Sequence, residues 1–426
     1  MLTGVTEIIA AKSAPAQGEL LDLTVGEVAH GGWCVARSAA GADQGKVVFV
    51  RHALPGERVR ARVTSSTAKF ARADAVEVLE PSPDRVEPPC SYARPGGCGG
   101  CDLQHASPAA QRAIKAQVIS QQLRRIAGID RAVEVEELPG DPSGLGWRTR
   151  VSFAVRSDGT AGLRMHRSRQ VVDITDCLIA HPLVRDADVP QQRWPGARSV
   201  EVAVSPGSGE QSVVVTGPGP TARRRGRPSL TQHAAGRTWR VNTGVFWQVH
   251  PGAADTLTGA VLAALRPQPG DVALDLYCGA GLFAGALAEA VGQTGLVTGV
   301  ESDVAAVRDA RKNLSGFPQV RVHRGDAADV LEQRGLGGAS LAVLDPPRAG
   351  AARRVIELLA SPGAGARSGA ATSGLRRIAY VSCDPATLAR DLAIFGELGW
   401  QLDDLRAFDA FPMTHHVECI ATLARC

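Results

Sequence analysis

No run in this chain is apolar for the roughly 18 residues that a membrane-crossing helix needs. The opening "MLTGVTEIIAAKSAPAQG" also lacks the basic start and apolar core of a secretory signal. Both absences point to a cytoplasmic protein with no membrane partner. Lysine is nearly missing: Lys12, Lys46, Lys69, Lys115 and Lys312 are the only ones, and arginine fills the other basic positions. Arginine suits bidentate phosphate binding, although a GC-rich genome produces the same bias. Strong charge of one sign is missing too. The net charge is +4, which by itself says little about nucleic acid. Global disorder is excluded by 44% hydrophobic and 21% charged residues, and 426 residues leave room for two or three domains. Cysteine is plentiful. Nine of them in a reducing compartment argue for metal-binding or catalytic thiols rather than disulfides.

Residues 20–80 read as five short strands, "LLDLTVGEVAH", "WCVAR", "KVVFVR", "ERVRARVTSS" and "ARADAVEVLE", which predict a small β-barrel. Arg51, His52, Arg58, Arg60, Arg62, Lys69 and Arg72 give it a candidate phosphate-facing surface. After the linker "PSPDRVEPP", the glycine-rich "CSYARPGGCGGC" excludes regular structure, and Ser107 is placed to cap a helix over "PAAQRAIKAQVISQQLRRIAG". Strand-like segments return between 147 and 216. "PGPTARRRGRPS" reads as a basic, turn-rich loop, solvated by default and RNA-contacting as the minority reading. From about 252 strands and helices alternate, the signature of a doubly wound parallel sheet. The low-complexity "SPGAGARSGAATSG", 361–374, reads as a flexible loop without chemistry.

"DLYCGAGLF" places Asp275 at the end of a buried strand, with Gly279 and Gly281 in the turn opening a helix, where such sheets bind nucleotides. Glu301 ends the next strand, where it can take ribose hydroxyls, and Asp326 ends the third, where it can meet an adenine amine. Singly, each acid is also an ordinary helix cap. "GAGLFA" fits a dinucleotide fingerprint as well, which keeps an NAD-dependent oxidoreductase open. "LDPPR" at 344–348 argues against that reading, because an acid followed by two prolines presents a rigid surface to a planar base.

Cys383 follows the buried strand "RRIAYVS", and Asp384-Pro385 open a helix whose start favours a thiolate. A nucleophile and an inert core cysteine both remain open from these residues. Glu418 lies in the apolar "HHVECIATLA", where an unpaired carboxylate costs several kcal/mol, so an arginine pairs with it or it does chemistry. A thiol, a base and a nucleoside-type methyl donor together fit methylation of pyrimidine carbon 5. Cys90, Cys98 and Cys101, in C-x7-C-x2-C spacing, and the distant Cys177 form a four-thiolate set for zinc or an iron–sulfur cluster.

"FWQV", "DLYCGAGLF", "DPPRAG", "YVSCDPATLARDL" and "HHVE" together resemble the S-adenosylmethionine-dependent RNA uracil-5-methyltransferases, over nearly the whole chain. That resemblance implies an α/β fold with a class I (Rossmann-like) catalytic domain at 246–426. It also implies an RNA-binding TRAM-like barrel at 16–80 and a mixed central domain at 85–245 carrying the cluster. By the same resemblance Cys383 is the nucleophile and Glu418 the proton acceptor. Gln248, Tyr277, Gly279, Gly281, Glu301, Asp326 and Asp345 would hold S-adenosylmethionine, and Phe246 would stack near the base. The four cysteines would hold a [4Fe-4S] cluster. The family often has Asn at the positions of Asp384 and His250, and some members carry a polar residue where Leu282 stands. The combination of barrel and cluster points to 23S ribosomal RNA ahead of tRNA, with a monomer as the simplest assembly. The alternative of another class is a non-catalytic RNA-binding protein, which the presence of Cys383 and Glu418 disfavours.

Overall fold

The computed structural model describes residues 17–37, 45–140, 142–219, 222–335, 337–360 and 374–425. The stretch 361–374 lies outside the described residues apart from Gly374. The strands β1 (Leu20–Ala29), β2 (Trp33–Arg37), β3 (Val47–Arg51), β4 (Arg58–Ser66) and β5 (Phe70–Glu80) close into a barrel in the order β1-β2-β3-β5-β4. Alternate residues such as Leu23, Val25, Val48, Val50, Val59, Ala61 and Val63 fill it, the period-2 pattern of a sheet with one buried face. Closure removes the exposed edges that a short sheet would otherwise carry. The expected basic surface is only partly there. Arg51 is buried, its guanidinium 3.2 Å from the Asp102 carboxylate, and burial pushes His52 down to about 3. Arg60 is taken up by Asp22 and Glu77, whereas Arg62 and Lys69 remain exposed.

Helix α1 (Pro108–Gln122) starts where Ser107 Oγ accepts the Ala110 N–H at 3.3 Å. Its Ile119 and the following Leu123 are buried in the core of the C-terminal sheet. The short β6 (Val135–Glu137) joins that same sheet as an edge strand. The six-stranded central sheet contains β7 (Arg150–Val155), β8 (Ala161–Arg164) and β9 (Val171–Asp173). After the single-turn α2 (Pro182–Arg185) it is completed by β10 (Ser199–Ser205), β11 (Glu210–Thr216) and β12 (Ala222–Gly226), in the order β12-β11-β10-β7-β8-β9. The arginine run is therefore a strand and not a loop. Its pairing with the valine-rich β11 (Val213↔Arg225, Val215↔Arg223) supplies a ladder that overrides weak local preference. A hairpin follows, β13 (Ser229–Ala234) and β14 (Arg237–Asn242), whose two turn residues Ala235 and Gly236 both have positive φ, the conformation that matches strand twist.

The last region alternates as its sequence predicts: α3 (Ala253–Leu265), β15 (Val272–Leu276), α4 (Leu282–Val291), β16 (Leu296–Glu301), α5 (Val304–Asn313), β17 (Val320–Arg324), α6 (Ala327–Arg334), β18 (Leu341–Leu344), α7 (Arg353–Ala360), β19 (Arg377–Ser382), α8 (Pro385–Glu397), β20 (Trp400–Asp409) and β21 (Glu418–Arg425). The strands lie in the order β17-β16-β15-β18-β19-β21-β20-β6. β15 to β19 are parallel, and β21 enters antiparallel between β19 and β20. The order reverses between β15 and β18, so a crevice opens at the carboxyl ends of those strands. Among the described residues no helix is long and apolar enough to cross a membrane.

Candidate active site

Acidic side chains stand at the carboxyl ends of four parallel strands. Asp275, on β15, is fully buried, and its Oδ2 accepts the Ala284 N–H at 2.7 Å, tying strand to helix α4. Its Oδ1 is buried with no partner, and burial pushes the carboxyl well up. Glu301, ending β16, accepts the N–H groups of Gly279 (3.0 Å) and Asp303 (2.8 Å). Asp326, after β17, caps α6 by accepting the Ala328 N–H at 2.9 Å. Asp345 follows β18, and burial raises its carboxyl to about 7. Between Asp275 and α4, Tyr277 holds a φ of 65°, a conformation costly for a residue with a Cβ. Gly281, at φ 95°, would place a Cβ 2.8 Å from Leu314, whereas the space beside Gly279 is open for 4 Å. The turn is thus fixed on one side and approachable on the other.

Cys383 comes immediately after β19, and Glu418 begins the neighbouring β21. Ser382 pairs with Cys419, which brings the next residue, Cys383, close to Glu418, whose charge acts on the thiol. Glu418 is 4% exposed. Burial pushes its carboxyl well up, Asp345 adds to the rise and Arg348 opposes it. The helix start after Cys383 exists, with Asp384 Oδ1 accepting the Thr387 N–H at 2.8 Å. It does not yield the depressed thiol pKa expected from sequence. Burial pushes the thiol up to about 12, with Glu418 and Asp345 raising it further, while Arg348 pulls it down by charge and by a hydrogen bond. Phe246 and Gln248 lie on the segment between β14 and α3; the Phe246 ring is 62% exposed and Gln248 is buried.

Cys90, Cys98, Cys101 and Cys177 line one cavity of about 330 Å³. Burial raises the Cys177 thiol to about 11 and pushes Cys98 and Cys101 up as well. Among the described residues no three His, Cys, Asp or Glu side chains stand close enough together to hold a metal ion.

Residues 16–76 match the family model described as TRAM domain, 267–340 match Methyltransferase domain, and 338–426 match tRNA (Uracil-5-)-methyltransferase. An uncharacterized RNA methyltransferase of Streptomyces coelicolor is 48% identical over 95% of this chain and 93% of its own length. The 23S rRNA (uracil(1939)-C(5))-methyltransferase RlmD of Acidithiobacillus ferrooxidans is 33% identical over 90% of this chain and 93% of its own length. The chain belongs to the RNA uracil-5-methyltransferase family. Its fold also matches the structure of Pyrococcus abyssi tRNA (uracil-54, C5)-methyltransferase in complex with S-adenosyl-L-homocysteine. That match has a TM-score of 0.68 and 22% identity, covering 95% of this chain and 99% of that one.

In this methyltransferase one helix holds both the chain at the nucleophile candidate and the loop of its cation. Helix α8 opens directly after Cys383, and its Thr387, Arg390 and Asp391 share one face at helical spacing. Thr387 Oγ1 donates to the Arg348 carbonyl at 3.1 Å, and Arg390 Nη2 to the Ala349 carbonyl at 2.8 Å. Asp391, fully buried, accepts the Ala351 N–H at 2.9 Å together with the Tyr380 hydroxyl. Gly350, at φ 83°, lies so close to α8 that a Cβ would meet Thr387 at 2.4 Å. The "DPPRAG" loop is clamped, and Arg348 with it. Sequence reasoning weighed the prolines of this loop and missed Arg348; the signal available was the Thr387/Arg390/Asp391 stripe.

Proposed function

We propose that this methyltransferase transfers a methyl group from S-adenosylmethionine to carbon 5 of a uridine in RNA, by way of a covalent bond between Cys383 and carbon 6 of the base. The observation that carries the reading is the apposition of Cys383, Arg348 and Glu418 beside the acid-lined crevice. The Cys383 thiolate, stabilised by Arg348, adds to carbon 6, and the electron pair moves to carbon 5. The bound cofactor supplies an electrophilic methyl group at that carbon. Glu418 then accepts the carbon 5 proton, the ring double bond re-forms, and the Cys383–carbon 6 bond breaks to return the thiolate. Asp345 borders both the crevice and Glu418. Gln248, Tyr277, Gly279, Gly281, Glu301 and Asp326 complete the cofactor site. The orphaned Asp275 Oδ1 and the open space at Gly279 suit a polar ligand laid against the turn.

In this reading 16–80 is the RNA-binding barrel, 85–245 the cluster-bearing region and 246–426 the catalytic domain. The exposed Phe246 ring receives a base taken out of its stack. Ribosomal RNA is favoured over tRNA because two relatives of the RlmD type are 33% and 31% identical over 90% and 95% of this chain, against 22% for the tRNA enzyme of similar coverage. The four thiols that line the central cavity would be the ligands of an iron–sulfur cluster, the group that a set of four cysteine thiolates can hold. Such a cluster would supply a structural cross-link. The test is incubation of anaerobically purified protein and labelled S-adenosylmethionine with unmodified 23S rRNA and with tRNA, followed by nucleoside analysis. Label in 5-methyluridine from 23S rRNA alone is expected; label in another nucleoside, or in none, overturns the reading. Iron and sulfide content, with loss of both in Cys98→Ser, checks the cluster separately.

A further inference from the structure

We infer that the barrel reaches into the active site: His30, in the β1–β2 turn, is a positioning residue for Cys383, acting through the Asp384 carboxylate. The inference rests on the reading of Cys383 as the nucleophile. His30 Nε2 stands 3.2 Å from Asp384 Oδ2. A carboxylate only accepts, so the imidazole N–H is the donor. The other oxygen, Oδ1, takes the Thr387 N–H at 2.8 Å, and the Asp384 N–H points back to Ser382 Oγ at 3.3 Å. The residue after the nucleophile is therefore held by its own strand end, by the first turn of α8 and by the barrel. Burial works against the charged Asp384 side chain, yet the hydrogen bonds from His30 and Thr387 hold its carboxyl well below the usual range.

The turn that carries His30 is itself wedged against the catalytic loops. Gly31 and Gly32 have φ of 90° and 76°, and a Cβ on Gly32 would stand 2.8 Å from the Asp102 Cβ and 3.4 Å from the His415 Cβ. Asp102 binds in both directions: Oδ1 takes Arg51 Nη2 of β3 at 3.2 Å, and Oδ2 lies 2.5 Å from His415 Nδ1. The His30 ring meets His415 edge-on, with centroids 6.3 Å apart. His415 lies three residues before Glu418. One turn of the barrel thus abuts the chain on both sides of the proposed thiol–carboxylate pair. The charges that bear on the thiol are those of Glu418, Arg348 and Asp345, so the effect of His30 falls on where the Cys383 main chain sits.

The test compares wild type with His30→Ala, His30→Gln, Asp384→Ala and the His30→Ala/Asp384→Ala pair. Iodoacetamide labelling of Cys383, followed on its own peptide by mass spectrometry, needs neither RNA nor methyl donor and reads the thiol's exposure directly. Labelling severalfold faster in His30→Ala is expected, with restoration by His30→Gln, which keeps a donor. The double variant should label no faster than Asp384→Ala alone. Methyl transfer in His30→Ala should fall roughly tenfold in kcat with RNA affinity unchanged, within the ~100-fold that an ångström of misplacement can cost. Unchanged labelling together with weakened RNA binding would make His30 an RNA contact and overturn the inference. Additive effects in the double variant would overturn it equally, because the route through Asp384 would then be absent. If wild type methylates no uridine, the labelling series still decides the coupling, and only the proposed reaction falls.

Discussion

Arg348 is the cation that opposes the rise of both Glu418 and Cys383 at the crevice, and in the proposed reaction the reactivity of Cys383 depends on that balance. The thiol lies at about 12 and Glu418 well above its usual range. Both must lose a proton to act, so kcat/KM should climb with pH through the neutral and alkaline range without a falling limb. Arg348→Ala should shift that climb to higher pH and cost roughly 100-fold or more at neutrality, the scale of removing one preorganised charge partner; a pH series of methyl transfer checks it. Glu418→Gln should separate the two halves of the reaction. Addition and methyl transfer proceed, the carbon 5 proton stays, and a covalent RNA–protein band accumulates on a denaturing gel, whereas Cys383→Ser gives none. Cys383 and Glu418 were both singled out in the sequence as candidates, Glu418 because it puts a charge in an apolar strand and Cys383 because it ends a buried strand just before a helix. Arg348 breaks no rule. Its place depends on how α8 clamps a loop some forty residues earlier in the chain, and the Thr387/Arg390/Asp391 stripe marks the clamping face of the helix without saying which loop it holds.

Alternation and turn chemistry were enough to place the barrel strands, α1 with its Ser107 cap, and the strand–helix series after 252. The hairpin β13–β14 was missed although its turn is local, and two other missed elements depend on a partner. β6 is three residues long and exists because β20 offers it an edge. β12 carries arginines where a strand pattern would show alternation, and β11 sets its register. As an edge strand β12 presents Arg223, Arg224 and Arg225, with Arg227 beyond; Arg225 lies over Trp194 and Arg227 pairs with Glu210. Arg223 and Arg224 therefore bring the most available charge to a phosphate backbone. Replacing both with Ser should weaken RNA binding evenly across sequences and lower the slope of log affinity against log salt by about 2, roughly one per lost phosphate contact. Filter binding across a salt series measures this, and an unchanged slope would return the strand to a solvated edge.

Across the whole molecule, the barrel, the cysteine-rich loop and the C-terminal sheet meet through buried imidazoles, which ties assembly to pH. Burial takes His52 and His416 from the usual 6.5 to about 3, and His105, His166 and His250 to about 4. These five come from all three regions: His52 from the barrel end, His105 from the segment packed against that end, His166 from the wall of the central cavity, His250 from beside Trp147, and His416 from the loop before Glu418. Each is neutral when folded and takes a proton on unfolding at any pH below 6.5. The unfolded chain therefore binds more protons there, and stability falls as the pH drops from 6.5 towards 4. Asp345 acts in the opposite sense: folded, it keeps its proton up to about 7, so its contribution is lost as the pH rises through that value. Thermal unfolding should accordingly show a steep decline on the acid side of 6.5. Asp345→Asn should stabilise the protein relative to wild type above pH 7 and make no difference near pH 4, where the wild-type carboxyl is protonated in the fold and half-protonated once unfolded. Because the acid-sensitive groups sit at the junctions between regions, loss of resistance to limited proteolysis on acidification should precede loss of helical signal in circular dichroism. Simultaneous loss of both would mean that the imidazoles stabilise the separate cores instead of the seams between them.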